Sequence, residues 1–217
     1  MRQAAQSATI TLMGINSAQI SQALGSGESQ RSWRLIVVGL VAAFSLYLII
    51  WRPAFSPFDW INVLVHETGH LVFLPFANTA ATAGGSILQV GLPLLLALAY
   101  LAQDDQFGAS ISVWWLGQSL TFLATYIGTS REGAVEFFRA SADWDQIHVW
   151  LGTQYQPSAL AGWAVNIGIA LMVLGITAAL VVTLRSRLRI DKEQKKLVDS
   201  GITEALLPPA ITGNKQQ

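Results

Sequence analysis

An all-α, polytopic transmembrane helical bundle is the fold class this sequence predicts, with about five spans plus an interfacial or re-entrant segment. Three observations predict it. Hydrophobic residues make up 52% of the 217 positions and charged residues only 12%, about half the charge of a typical soluble domain. The apolar residues gather in runs long enough to span a bilayer core, which takes about 20 helical residues. The short alternating segments of a membrane β-barrel are missing, and backbone groups in lipid must be satisfied internally, which leaves helices.

The elements follow in order. The first 32 residues are rich in Ser, Gln, Ala and Gly and carry few charges, so residues 1–32 are expected to be mostly disordered, with room for a short helix across Ile10 to Ile20. No cleavable signal is expected, because the first long apolar run begins only near Leu35. The first span is predicted from about Trp33 to Trp51, with Arg31, Arg34 and Arg52 at its ends. Pro53 and Pro57 stiffen a short connector. The second span covers about Phe58 to Ala77, the third Gly84 to Gln103, and the fourth Ala109 to Ile127. Residues Asp104 to Gly108 join the last two as a polar hairpin. Residues 128–160 mix charges with aromatics, the composition of an interfacial helix or re-entrant cap. The fifth span covers Ala161 to Leu184. The membrane domain is thus residues 33–184, and residues 185–217 form a basic, then loose, tail.

Charge sets the expected orientation. Net charge is zero, so no nucleic acid or other polyanion is implied as a partner. Six of the 13 Lys and Arg residues fall between Arg185 and Lys196, which predicts a cytoplasmic C-terminus. Five spans then put the N-terminus outside, against the pull of Arg31 and Arg34, unless residues 131–151 make a sixth crossing. With no cysteine in the chain, disulfides and thiolate metal ligands are excluded.

The second span holds the chemistry, in Val65-His66-Glu67-Thr68-Gly69-His70-Leu71. Histidines four apart share a helix face and can bind one zinc ion, and the intervening glutamate is placed to move protons. Charged or ionisable groups inside a bilayer cost at least about 2.5 kcal/mol on insertion scales, so they are seldom idle. The polar stripe extends through Asp59, Asn62, His66, Gly69 and His70. A polar cluster that merely glues helices together explains one histidine well, but two histidines and a glutamate poorly.

A catalytic zinc site needs a third protein ligand. His148 is the only other histidine, and Asp143 and Asp145 stand close to it; each of the three is chemically able to serve, with Asp59 behind them. Gly84, Gly85, Gly91 and Pro93 allow close approach or a kink in the third span. Gln89 and Gln118 read first as helix–helix contacts, though both could line the site, and Trp114, Trp115, Trp144 and Trp150 as interface anchors.

On these residues the chain resembles the site-2 protease class of intramembrane zinc metalloproteases, and within it an uncharacterised bacterial branch. The resemblance rests on His66 to His70, Gly84-Gly85-Ser86, Trp114-Trp115-Leu116-Gly117-Gln118 and Asp143-Trp144, and covers roughly residues 58–184. It implies a multi-pass protein of the bacterial inner membrane that hydrolyses membrane-embedded protein or peptide substrates with Zn2+. It also implies His66 and His70 as ligands, Glu67 as general base and acid, and Asp143 as the third ligand. The Leu-Asp-Gly and Asn-Pro elements of better-known members are missing, and Ala142 stands where the closer branch often has histidine. Rival readings are a non-catalytic zinc-binding subunit or chaperone and a metal transporter. Intact Glu67 counts against the first, and the scarcity of acids and histidines in the other spans counts against the second.

Overall fold

Six helices and no strand make up the described residues, 17–51, 55–129 and 140–199, of this computed structural model. They are α1 (Ser17–Trp51), α2 (Asp59–Phe73), α3 (Asn78–Ala102), α4 (Gln106–Thr129), α5 (Ala140–Leu151) and α6 (Pro157–Asp199). Among the described residues, three stretches are long and apolar enough to cross a membrane: Ser32–Trp51, Asn78–Ala102 and Pro157–Ser186. The expected second span, α2, has only 15 residues, about 22 Å of helix against a core of about 30 Å. The expected fourth, α4, has the length, but its serines, glutamine and threonines lower its hydropathy.

Several boundaries differ from the sequence reading. The first helix already begins at Ser17, inside the segment expected to be mostly disordered; residues 1–16 lie outside the described residues. The last helix continues through the basic cluster to Asp199, beyond the expected start of the loose tail. Long straight side chains such as Lys, Glu, Gln and Leu after Arg189 favour helix, so the change from apolar to charged sequence does not end it. The cap expected in residues 128–160 is represented by α5, whose 12 residues make about 18 Å of helix, too short for a sixth crossing alone. Residues 130–139 of that segment lie outside the described residues.

The chain divides into two compact units, Val38–Val181 and the flanking segments together. In the flanking unit, Arg34 lies over the Trp33 ring, 5.8 Å from its centroid, and the Ser186 hydroxyl donates back to the Val182 carbonyl at 2.9 Å. The central unit holds the motif. There α3 packs between α2 and α4, and α5 rests on α3 and α4. Helices α4 and α6 run antiparallel at close range. A Cβ on Gly175 would stand 2.6 Å from the Trp114 backbone nitrogen, and one on Gly168 equally close to the Gly117 carbonyl. In lipid, such small-residue contacts let backbones meet where no hydrophobic force drives helices together.

The distribution of polarity is that of a membrane bundle. Leu40, Leu64, Leu71, Leu95 and Leu174 are exposed, whereas Ser45, Asp59, Asn62, His66, Gln89, Gln118 and Ser119 are buried. Several of these interior polar groups satisfy one another. Asp59 accepts from the Ser56 backbone N–H at 2.6 Å, the Ser56 hydroxyl at 2.7 Å and the Gln118 amide at 2.6 Å. The Asn62 amide donates to Gln118, while its oxygen accepts from Trp115 and Ser119, each at 3.0 Å.

Trp114 and Trp144 are corrections to the expected interface belt. Both are buried, because their indole N–H groups find serine acceptors inside, Ser45 at 2.8 Å and Ser86 at 3.1 Å. Trp150 is exposed. The hairpin between α3 and α4 is tighter than expected. Asp104 takes φ 57°, a left-handed value that Asp tolerates, and the Asp105 carboxylate accepts from the Phe107 and Gly108 N–H groups to start α4. Helix α5 stops at Gly152, φ +68°. The Gly152 N–H reaches the Val149 carbonyl and the Thr153 N–H the His148 carbonyl, a Schellman end.

Candidate metal centre

One face of α2 is buried, through Asp59, Asn62, His66 and Gly69, and the polar stripe of the sequence is this face. Where the stripe meets α3, glycine faces glycine. A Cβ on Gly69 would collide with the Gly84 carbonyl, and one on Gly84 would stand 2.7 Å from the Gly69 carbonyl. This contact brings α3 against the imidazoles. The two rings sit edge to face, centroids 4.9 Å apart. The Nδ1 of His66 is 2.9 Å from Gln89 Oε1, and that of His70 is 2.7 Å from the Ala81 carbonyl oxygen. A carbonyl can only accept, so His70 donates through Nδ1 and keeps a lone pair on Nε2.

The Nε2 atoms converge on Asp143 of α5. Its Oδ2 lies 3.1 Å from His70 Nε2 and 3.8 Å from His66 Nε2. The three candidate ligand atoms all lie within 4.8 Å of one another, and among the described residues no other such group of three occurs. Two further observations bear on whether a metal fits. Buried atoms His66 Nε2 and Asp143 Oδ2 have no hydrogen-bond partner, whereas Asp59, Asn62 and Gln118 on the same side of the bundle are paired. A Cβ on Gly85 would stand 2.6 Å from His66 Nε2 and 2.7 Å from His70 Nε2, so the glycine leaves open the space that both nitrogens face.

Two imidazoles and a carboxylate are the donor set of a catalytic zinc site. Zinc bonds of about 2.0–2.1 Å at tetrahedral angles separate ligand atoms by about 3.3 Å, and the distances to Asp143 bracket that value. The close His70–Asp143 contact also suits an imidazolium–carboxylate pair, but such a pair leaves buried His66 Nε2 without a partner. The residues therefore fit a zinc-type ion.

The other candidates stand apart. Asp145 is exposed. His148 is buried with both ring nitrogens engaged, Nε2–H donating to the Ile127 carbonyl at 3.1 Å and Nδ1 meeting the Thr153 hydroxyl at 2.8 Å. Asp59 belongs to the polar layer at the other end of α2. Glu67 is exposed from the bundle and borders a cavity of about 430 Å³ together with His70, Asp143, Leu71, Leu74 and Thr82. That cavity joins the motif's glutamate, two candidate ligands and exposed leucines.

Sequence reasoning passed over Ala81, which acts through its carbonyl and leaves no side-chain signal. It read Gln89 first as a helix contact, though one that could line the site. The available signal was spacing: Ala81, Gly85 and Gln89 recur every four residues on one face of α3, matching the four-residue step of the histidines. The chain matches no protein-family model, no curated protein and no solved structure.

Proposed function

We propose that this protein is a zinc-dependent intramembrane metalloprotease of the site-2 protease class, hydrolysing peptide bonds of membrane proteins. The observation that carries the reading is the convergence of His66 Nε2, His70 Nε2 and Asp143 Oδ2 on the space kept open by Gly85, with Glu67 on the adjoining cavity. Helices α1, α2, α3, α4 and α6 are the five spans, α2 being a short one shielded by its neighbours. Helix α5 is the interfacial element that delivers the third ligand. The protein belongs to the bacterial inner membrane, with the basic end of α6 in the cytoplasm.

His66, His70 and Asp143 hold the ion. When bound, zinc supplies Lewis acidity to a substrate carbonyl and lowers the pKa of water toward neutrality. Glu67 takes the proton of the attacking water and returns it to the departing amine, the two-way transfer that general acid–base catalysis requires. Leu71 and Leu74 give the cavity an apolar edge toward lipid, suited to an apolar substrate segment.

The test is metal analysis of the purified protein beside a Glu67→Gln variant, with hydrolysis of a membrane substrate measured for both. Glutamine is near-isosteric and cannot carry the proton. The variant should keep stoichiometric zinc and lose turnover by at least about 100-fold. Unchanged turnover rules out the protease reading; a wild-type chain that binds no zinc rules out the metal site.

A further inference from the structure

Whether His66 can present Nε2 to a metal depends on where its single proton sits, and α3 settles that. We infer that Gln89 is the positioning residue of this site: it holds the His66 proton on Nδ1 and so keeps the Nε2 lone pair free. The inference rests on the metal reading above.

Gln89 meets His66 from behind, at the ring nitrogen on the side away from Nε2. Gln89 is completely buried. Its amide nitrogen donates to the Ser119 backbone carbonyl at 3.2 Å. That carbonyl can only accept, so the amide can take only one of its two flips there. The amide oxygen must then face His66 Nδ1, at 2.9 Å. An amide oxygen also only accepts, so Nδ1 must be the protonated nitrogen. The tautomer of the α2 histidine is thus dictated by a carbonyl of α4, relayed by a side chain of α3. For His70 the same result is reached without a relay, because the Ala81 carbonyl lies 2.7 Å from Nδ1. Ala81, Gly85 and Gln89 stand one helical turn apart: one carbonyl acceptor, one gap, one amide acceptor. The face of α3 is a template that orients both rings from behind. Partners of this kind change metal affinity by about 10–100-fold when removed.

The experiment uses the full-length chain purified in detergent, titrated with Co2+ and followed by visible absorption. Gln89→Met removes both hydrogen bonds at similar volume, and should lower Co2+ affinity by about 10–100-fold and shift the absorption bands. Gln89→Glu keeps an oxygen acceptor at the same reach, and should bind within a few-fold of wild type. Ser45→Ala removes a buried polar contact, to Trp114, that meets neither histidine nor the polar layer; it controls for general loosening and should bind like wild type. In parallel, the imidazole 15N shifts of the metal-free wild-type protein should report His66 protonated on Nδ1, a reading that needs no variant to fold.

Wild-type affinity in Gln89→Met overturns the inference, as does an equal loss in Ser45→Ala. A His66 proton on Nε2 also overturns it. If wild-type protein binds no Co2+, the metal reading fails, while the 15N measurement still decides the tautomer.

Discussion

Gly85→Ala offers a severe test of the candidate centre, because its consequence can be worked from distances. The added methyl would stand 2.6 Å from His66 Nε2 and 2.7 Å from His70 Nε2. Nonbonded heavy atoms settle near 3.5 Å, so each nitrogen must retreat by about 0.8–0.9 Å. Metal bonds tolerate a departure of about 0.2 Å. The required movement exceeds that tolerance about fourfold at two ligands simultaneously, and the methyl itself occupies the space the ion needs. Zinc affinity should fall by more than about 100-fold, equivalent to about 2.7 kcal/mol. Overpacking should cost the metal-free fold about 1–3 kcal/mol. The internal control is Gly91→Ala on the same helix. Nothing lies within 4 Å of a Cβ there, so alanine should leave zinc binding intact and stabilise the helix by about 0.5–1 kcal/mol. The assay is zinc content after dialysis against a graded chelator buffer, with thermal unfolding followed in the same samples. Stoichiometric zinc at wild-type affinity in Gly85→Ala would refute the placement of the ion.

Further tests separate the remaining residues. Asp143→Ala should strip the metal, whereas Asp145→Ala should leave it; zinc content measured on each decides, and loss in the second alone reverses the assignment. His148→Ala should keep zinc but destabilise the protein by about 1–3 kcal/mol, since it removes the buried hydrogen bonds to the Ile127 carbonyl and the Thr153 hydroxyl; an emptied site would mean that a third histidine is the ligand. His66→Ala and His70→Ala should each release zinc, because two remaining protein ligands rarely hold it, and stoichiometric metal in both would reduce the motif to coincidence. A cysteine at Gln216 should resist an impermeant thiol reagent on intact cells, as a cytoplasmic C-terminus requires; ready labelling would invert the orientation.

What the sequence disclosed, and what it hid, follows from where each signal resides. The buried face of α2 was legible because Asp59, Asn62, His66 and Gly69 repeat at helical spacing among apolar residues. The choice among Asp143, Asp145 and His148 was not legible from spacing, since all three lie within six positions of one another and differ only in which face of α5 they occupy. The resemblance named Asp143; the fold gives its carboxylate the contacts with both imidazoles and gives His148 to Ile127 and Thr153. Trp114 and Trp144 were misread because aromatic-belt reasoning uses height along a span and is blind to azimuth. The modest hydropathy of α4 has a related cause. Gln118 and Ser119 lower its hydropathy, yet they turn inward to Asp59 and Asn62, where they meet partners and not lipid. The role of Ala81 was invisible in principle, because every residue has a carbonyl.

The polar layer of Asp59, Asn62, Trp115, Gln118 and Ser119 has a consequence of its own. Apolar helices in lipid can slide along one another with little change in contact quality, because one ring of leucines replaces the next. A ladder of donors and acceptors cannot slide in this way. A one-turn slip of α2 against α4 would displace the groups by about 5.4 Å and break the Asp59–Gln118, Asn62–Gln118, Asn62–Trp115 and Asn62–Ser119 bonds together. Single interhelical bonds in membranes average about 0.6 kcal/mol, so four broken together cost about 2.4 kcal/mol, before counting an uncompensated carboxylate. That is enough to hold one axial register in preference to its neighbours, much as a buried polar residue does in a coiled coil. The layer is a depth gauge: fixing the height of Asp59 on α4 also fixes the height of His66, two turns along the same helix, opposite its partner on α3.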